Sequence, residues 1–260
     1  MGILNVTPDS FSDGGAFIAE DAAVAQAMHM VKEGASIIDI GGESTRPGAA
    51  AVSVDEELQR VVPVVEAIRK QSDVLISVDT SKPSVMNAAI QAGASIINDV
   101  RALQEEGALE AAAQLNVSIC LMHMQGQPRT MQHEPHYDDV VEEVIRFLQQ
   151  RVAACELAGI ERSQIWVDPG FGFGKTLEHN LQLLESLDQF QALGIPLLVG
   201  VSRKTMIGAL LGDLPVEKRV LGSVGAAVVA VARGAKIVRV HDVKQTVQAL
   251  QGAGLYPFPH

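Results

Sequence analysis

Aromatic side chains are scarce. Seven Phe, two Tyr and one Trp make up 4% of the 260 residues. A core must therefore be built from Ala, Val, Ile and Leu, which suits a helix-wrapped parallel sheet better than an aromatic-rich all-β fold. Positive charge is also short, with 20 Lys and Arg against 31 Asp and Glu and a net charge of −11. That argues against a general nucleic-acid surface. An anionic ligand would need a local basic pocket set into an acidic whole. There are only two cysteines, Cys120 and Cys155, far apart and in apolar surroundings. They read as buried free thiols rather than a disulfide or a ligand pair. No apolar run reaches the length of a membrane span, and there is no signal peptide, so a soluble, cytoplasmic protein is expected. A Gly-rich phosphate loop after the first strand and a ribose-binding acid after the second are missing too, which weakens an open doubly wound sheet.

What is present is a repeat of strand, polar loop and helix. Apolar runs predict strands over 3–6, 36–40, 74–78, 95–97, 117–122, 165–167, 196–199 and 236–241. Helical spacing predicts helices over 19–33, 55–70, 83–92, 108–115, 138–158, 177–193, 216–233 and 243–250. Gly34, Gly93, Gly159, Gly194 and Gly234 close helices at the same point of successive units. Eight units in a length near ~250 residues predict a single (β/α)8 TIM barrel over 1–260, one domain with no linker. Strands apolar on both faces are expected, as in a barrel buried inside and out.

The centre of the chain is Asp168 to Lys175, DPGFGFGK. A carboxylate stands there at a strand end, Pro169 stops the ladder, and three glycines let the backbone approach a ligand. A barrel gathers its working groups at the carboxyl ends of its strands. Those ends carry Asn5, Thr45, Arg46, Asp79, Asn98, Asp168, Lys204, Arg239 and His241. Asp79 or Asn98 could instead cap the next helix, and Lys204 could be an exposed lysine. Arg239 and His241 are two apart on a strand and share a side. With Asn5, Thr45 and Arg46 they would make a cationic patch for phosphate or pyrophosphate. Asn5 and Asp9 offer hard oxygens that suit magnesium shared with phosphate. Asp79, Asn98 and Asp168 would suit a flat heterocycle with several N–H groups. His123, His133 and His136, with Met122, Met124 and Met131, lack a ligand spacing and read as loop or barrel lining.

Several separate motifs carry a resemblance. They are Asn5 to Gly15 (NVTPDSFSDGG), Gly42 to Gly48 (GESTRPG), Val78-Asp79-Thr80, Asn98-Asp99, Asp168 to Lys175, Ser202-Arg203-Lys204 and Arg239 to Asp242. In this order the chain resembles the bacterial dihydropteroate synthase family along essentially its whole length. The resemblance implies a transferase of folate synthesis that joins p-aminobenzoate to 6-hydroxymethyl-7,8-dihydropterin pyrophosphate and releases pyrophosphate. It implies pterin contacts from Asp79, Asn98, Asp168 and Lys204, and magnesium at Asn5. Pyrophosphate falls to Thr45, Arg46, Arg239 and His241, and the p-aminobenzoate side to Phe11, Pro47, Phe173 and Ser202. Asp168, Lys204, Arg239 and His241 are the groups it puts at the chemistry. It also implies a cytoplasmic homodimer joined through late helices. The hairpin that usually precedes the first strand in the family is missing here. Two other functions stay open at this point. One is the methyltetrahydrofolate-binding module of a corrinoid methyltransferase. The other is an aldolase using Lys204 as a Schiff base.

Overall fold

The computed structural model describes residues 1–7, 16–44, 49–126, 131 and 134–256. Six strands form one parallel sheet in sequence order: β1 (Gly2–Asn5), β2 (Ile37–Gly41), β3 (Leu75–Asp79), β4 (Ile96–Asp99), β5 (Ser118–Met122) and β6 (Ile165–Asp168). Two more, β7 (Leu198–Val199) and β8 (Ile237–Val238), pair with each other. Parallel bridges Val167↔Leu197 and Gly2↔Val240 join the two pieces at both edges. The sheet thus closes on itself, as a TIM barrel requires. β8 is shorter than expected because its ladder changes partner. The Arg239 N–H bonds to Val199 O, and the next N–H, of Val240, turns to Met1 O.

Helices cover the outside: α1 (Ala16–Lys32), α2 (Val54–Arg69), α3 (Pro83–Gln91), α4 (Ala108–Leu115), α5 (Val140–Leu157), α6 (Leu177–Glu185), α7 (Thr205–Leu210), α8 (Val220–Ala232) and α9 (Val243–Gly252). Alternation along each strand decides what faces them. Leu4, Ile38, Ile40, Ile76 and Val78 pack with Val24, Val61, Val65 and Ile68 of α1 and α2. Ile97, Ile119, Leu121, Ile165 and Val167 pack with Val144, Leu148 and Leu183 of α5 and α6. The opposite parity faces inward and holds Asn5, Asp39, Ser77, Asp79, Asn98 and Asp168. The inner face is therefore mixed rather than apolar throughout: these polar groups share it with Ile37, Ile96, Cys120 and Met122. None of the helices in the described residues is long and apolar enough to cross a membrane.

Two helix predictions need correction. The helix expected over 177–193 ends at Glu185 and continues as a 3-10 turn, Leu187–Leu193. Its buried residues Leu187, Phe190 and Leu193 are spaced by three, the 3-10 period, rather than by 3.6. The helix expected over 216–233 is a 3-10 turn, Val216–Lys218, followed by α8. A separate short helix, α7, precedes them. Gly208 lies inside it. In the fold that glycine makes room for the Arg219 guanidinium, which donates to Leu214 O at 2.7 Å and Arg203 O at 3.0 Å.

The loop after β6 depends on Gly170. Its φ is +70°, and a Cβ there would overlap the carbonyl oxygen of His123 at the end of β5. Gly170→Ala should therefore lower stability by at least about 2 kcal/mol, the sum of backbone strain and displaced chain. Urea unfolding checks this; a midpoint equal to that of the unaltered protein would contradict it.

Candidate active site

Arg239 enters the barrel from β8 and spans it. Its Nε donates to Asp39 Oδ2 at 2.6 Å on β2, and its Nη2 donates to Asp79 Oδ2 at 3.0 Å on β3. Asn98, beside Asp79 in register, donates to the same Asp39 oxygen at 3.4 Å. Asp39 has no exposed surface, and among the described residues its other oxygen, Oδ1, has no partner. Burial works against the Arg239 charge, but Asp39 and Asp79 hold the guanidinium firmly protonated. Burial pushes the Asp79 carboxyl up to about 7, while Arg239 pulls it down.

Asp168 stands at the end of β6, buried, with Oδ1 accepting from the Gly170 N–H at 2.7 Å. Burial raises its pKa and Lys204 opposes that rise. Lys204 donates to Phe171 O, and its ammonium lies 4.6 Å from the centre of the Phe173 ring. Burial brings Lys204 down to about 8, with Asp168 acting the other way. Two inward glycines leave the space between these groups open. A Cβ on Gly200 would meet Arg239 Cβ at 3.8 Å and Asp168 Oδ2 at 4.0 Å. One on Gly41 would meet Asn5 Oδ1 and Asp79 Cβ, both at 3.7 Å. Asn5, Asp79, Arg239 and Asp168 thus share one mouth.

His241 and Ser202 form a second group. Ser202 Oγ lies 3.0 Å from His241 Nδ1 and accepts from the His241 N–H at 3.1 Å. Of the predicted cationic patch, Thr45 and Arg46 lie outside the described residues, and Arg239 and His241 each have a partner of their own. Arg239 is drawn to two carboxylates inside, and His241 turns to the loop after β7. Beside Asp79 a cavity of about 280 Å³ runs outward past Glu43, Ser44, Lys82 and Arg101. Lys82 bridges Glu43 at 2.5 Å and the buried Glu57. Thr45, Arg46, Pro47, Asp9 and Phe11 lie outside the described residues.

The helix-cap reading of Asp79 and Asn98 fails. α3 is capped at Lys82 and α4 at Gly107, neither with a side-chain bond. Three residues carry weight that the sequence reading did not give them. Asp39 looked like one polar position in an apolar strand; its inward parity was the available signal. Lys175 is buried, and His123 meets its Nζ at 2.9 Å. A lysine closing a Gly-rich loop was the clue there. Among the described residues no three His, Cys, Asp or Glu side chains gather to hold a metal.

The sequence model of the pterin binding enzyme family matches residues 1–241. The chain belongs to the pterin binding enzyme family. Its relatives include the dihydropteroate synthase of Escherichia coli K12, 59% identical over 96% of this chain and 89% of that one. The Haemophilus influenzae dihydropteroate synthase is 57% identical over 96% and 91%. A Yersinia pestis dihydropteroate synthase solved with a sulfonamide drug superposes with a TM-score of 0.93 at 57% identity, covering 98% of this chain and 92% of that one. The Xanthomonas albilineans enzyme in complex with 7,8-dihydropteroate gives 0.89 at 51% identity, over 99% and 94%. Pterin binding enzymes of this barrel type are thus matched in both sequence and fold.

A carboxyl with a raised pKa holds its proton in the folded state while the unfolded chain releases it. Its unfavourable contribution is absent below pH ~4 and grows as pH climbs to about 7. Asp79→Asn cannot titrate. The thermal midpoint of the unaltered protein, relative to that of Asp79→Asn, should fall by on the order of several degrees between pH 5 and pH 8. Calorimetry at both pH values measures it; a constant or rising difference would contradict the raised carboxyl.

Proposed function

We infer that this chain is a dihydropteroate synthase. It condenses 6-hydroxymethyl-7,8-dihydropterin pyrophosphate with p-aminobenzoate, giving 7,8-dihydropteroate and pyrophosphate. The observation that carries the reading is the inward set Asp39, Asp79, Asn98 and Asp168, held around Arg239 at one mouth. It supplies several hydrogen-bond acceptors and an amide in a water-poor pocket, which is what a flat ring with several N–H groups needs.

In this reading Asp79, Asn98 and Asp168 take the pterin edge, with Asp39 behind them and Lys204 alongside. The methylene carbon loses pyrophosphate, the C–O bond breaks, and positive charge builds on the pterin. The p-aminobenzoate nitrogen then forms the C–N bond and gives up a proton. Asp168 offsets the positive charge on the ring. His241, Thr45 and Arg46 receive the pyrophosphate, with Arg239 at the boundary between ring and phosphate. Phe173, Ser202, Phe11 and Pro47 line the p-aminobenzoate side. Asn5 Oδ1 faces the mouth next to Asp79, and with Asp9 it would offer hard oxygen donors of the kind magnesium takes. Magnesium, when bound, supplies charge neutralisation to the leaving pyrophosphate.

Residues 1–260 are read as one domain, and the bridge between β1 and the chain after β8 supports that. Buried free thiols at Cys120 and Cys155 fit a reducing, cytoplasmic setting. A homodimer is part of the same proposal. Leu210, Leu211, Leu221 and Val229 are exposed on α7 and α8, with Leu221 at 85%. α7 meets α8 at Gly222, where a Cβ would touch Leu211 and Ile207, so these residues belong to adjoining faces. Light scattering should give a two-chain mass for the unaltered protein and a one-chain mass for Leu221→Glu; two chains in both would remove this interface.

The deciding assay mixes dihydropterin pyrophosphate, p-aminobenzoate and magnesium. Pyrophosphate should be released in proportion to amine consumed, and a chelator should suppress it by at least about tenfold. His241→Ala should weaken the pyrophosphate-bearing substrate more than the bare pterin. Release without the amine would contradict the synthase, and indifference to the chelator would remove the metal.

A further inference from the structure

Pro169 to Gly174 leaves β6 directly after Asp168 and carries both residues that meet Lys204, the Phe171 carbonyl and the Phe173 ring. Short glycine-rich loops of this kind set their own shape poorly, because glycine adds conformational freedom. Here one buried amine fixes it. Lys175 Nζ lies 2.9 Å from His123 Nδ1, 2.9 Å from Gly170 O and 3.1 Å from Phe173 O. An ammonium has three N–H donors and no acceptor, so these three contacts satisfy it completely. With Lys175 as the donor, His123 accepts at Nδ1, which puts the ring proton on Nε2 and leaves the imidazole neutral; burial lowers the Lys175 pKa well below its ordinary value, and Asp168 opposes that. Burial and the Lys175 charge drive His123 down to about 2, in the same sense.

His123 is itself a fixed post. Its N–H bonds to Asp168 O at 3.0 Å, and Phe147 meets its ring edge-on at 4.9 Å. The rest of the loop is tied from other elements. Tyr137 donates to Gly174 O at 2.8 Å, and the Gly172 N–H donates to Asn180 Oδ1 on α6 at 2.7 Å. Lys175 is the only one of these ties that reaches the carbonyls at both ends of the 170–173 turn.

We propose that Lys175, with His123 as its acceptor, is a positioning residue: it sets the 170–173 turn that presents the Phe171 carbonyl and the Phe173 ring to Lys204, and so aligns the wall against which the aromatic amine is held. This rests on the synthase reading above. Of the pterin contacts, Asp168 and Lys204 adjoin this tie, while Asp39, Asp79 and Asn98 stand on β2, β3 and β4 away from it, so the pterin side depends on it only in part.

The test is steady-state kinetics with each substrate varied in turn, joined to a double-mutant cycle. Lys175→Met keeps the stem and removes the three donors. KM for p-aminobenzoate should rise about tenfold or more, with KM for the dihydropterin pyrophosphate changed less than about threefold. Phe173→Ala should cost clearly less in the Lys175→Met background than in the unaltered protein, since both act on one wall. Equal changes in both KM values, or a Phe173→Ala cost that is the same in both backgrounds, would overturn the proposal. If circular dichroism finds Lys175→Met unfolded, His123 decides. His123→Asn keeps an acceptor near Nδ1 and should retain the p-aminobenzoate KM, while His123→Leu should lose it; equal losses would overturn the proposal. Absence of turnover in the unaltered protein would instead remove the synthase reading and this inference with it, an outcome distinct from an active protein whose variants lack selectivity.

Discussion

The rest of the structure depends on Arg239 standing between Asp39 and Asp79. Buried carboxylates facing one another across a barrel would repel and lose hydration, a cost that only a buried counter-charge offsets. The guanidinium fits because it is planar and forked, so one side chain reaches two strands at once. The same logic extends along the mouth. Asp168 faces Lys204, and Lys175 lies behind it. Asp39, Asp79 and Asp168 are thus matched by Arg239, Lys204 and Lys175 within a chain whose net charge is −11. Two further acids are buried, Asp99 against Ser81 and Glu57 against Lys82. Among the described residues Asp39 Oδ1 is left without a hydrogen-bond partner.

Much of this could be read along the chain because a barrel converts position into place. An apolar run followed by a polar residue gives a strand and its carboxyl end, and all carboxyl ends meet at one rim. Asp79, Asn98, Asp168 and Lys204 were legible for that reason, and they do converge. Asp39 was not, because it lies inside its strand and not at the end of it, where a buried polar residue looks like an accident of the core. The partner of Arg239 was not legible either. Spacing says which side of the strand the residue takes, but not that its reach of several ångströms ends on a residue 200 positions away.

Helix boundaries failed where short-range geometry and packing competed. Leu187, Phe190 and Leu193 repeat every three residues and draw the chain into a tighter turn. Gly208 admits an arginine that ties α7 to the loop before α8. Neither feature changes the rim. Only the second adjoins it: Arg219 donates to Arg203 O, one residue before Lys204, which stands just before α7.

The account is tested most directly by the energetic coupling of Arg239 to Asp39. Chemical unfolding of Arg239→Gln, Asp39→Asn and the double variant gives it. Removing the arginine alone strands two buried acids and should cost about 3–5 kcal/mol, and neutralising Asp39 as well should recover a substantial part of that. Strictly additive losses would mean that the guanidinium does not hold the interior charge together.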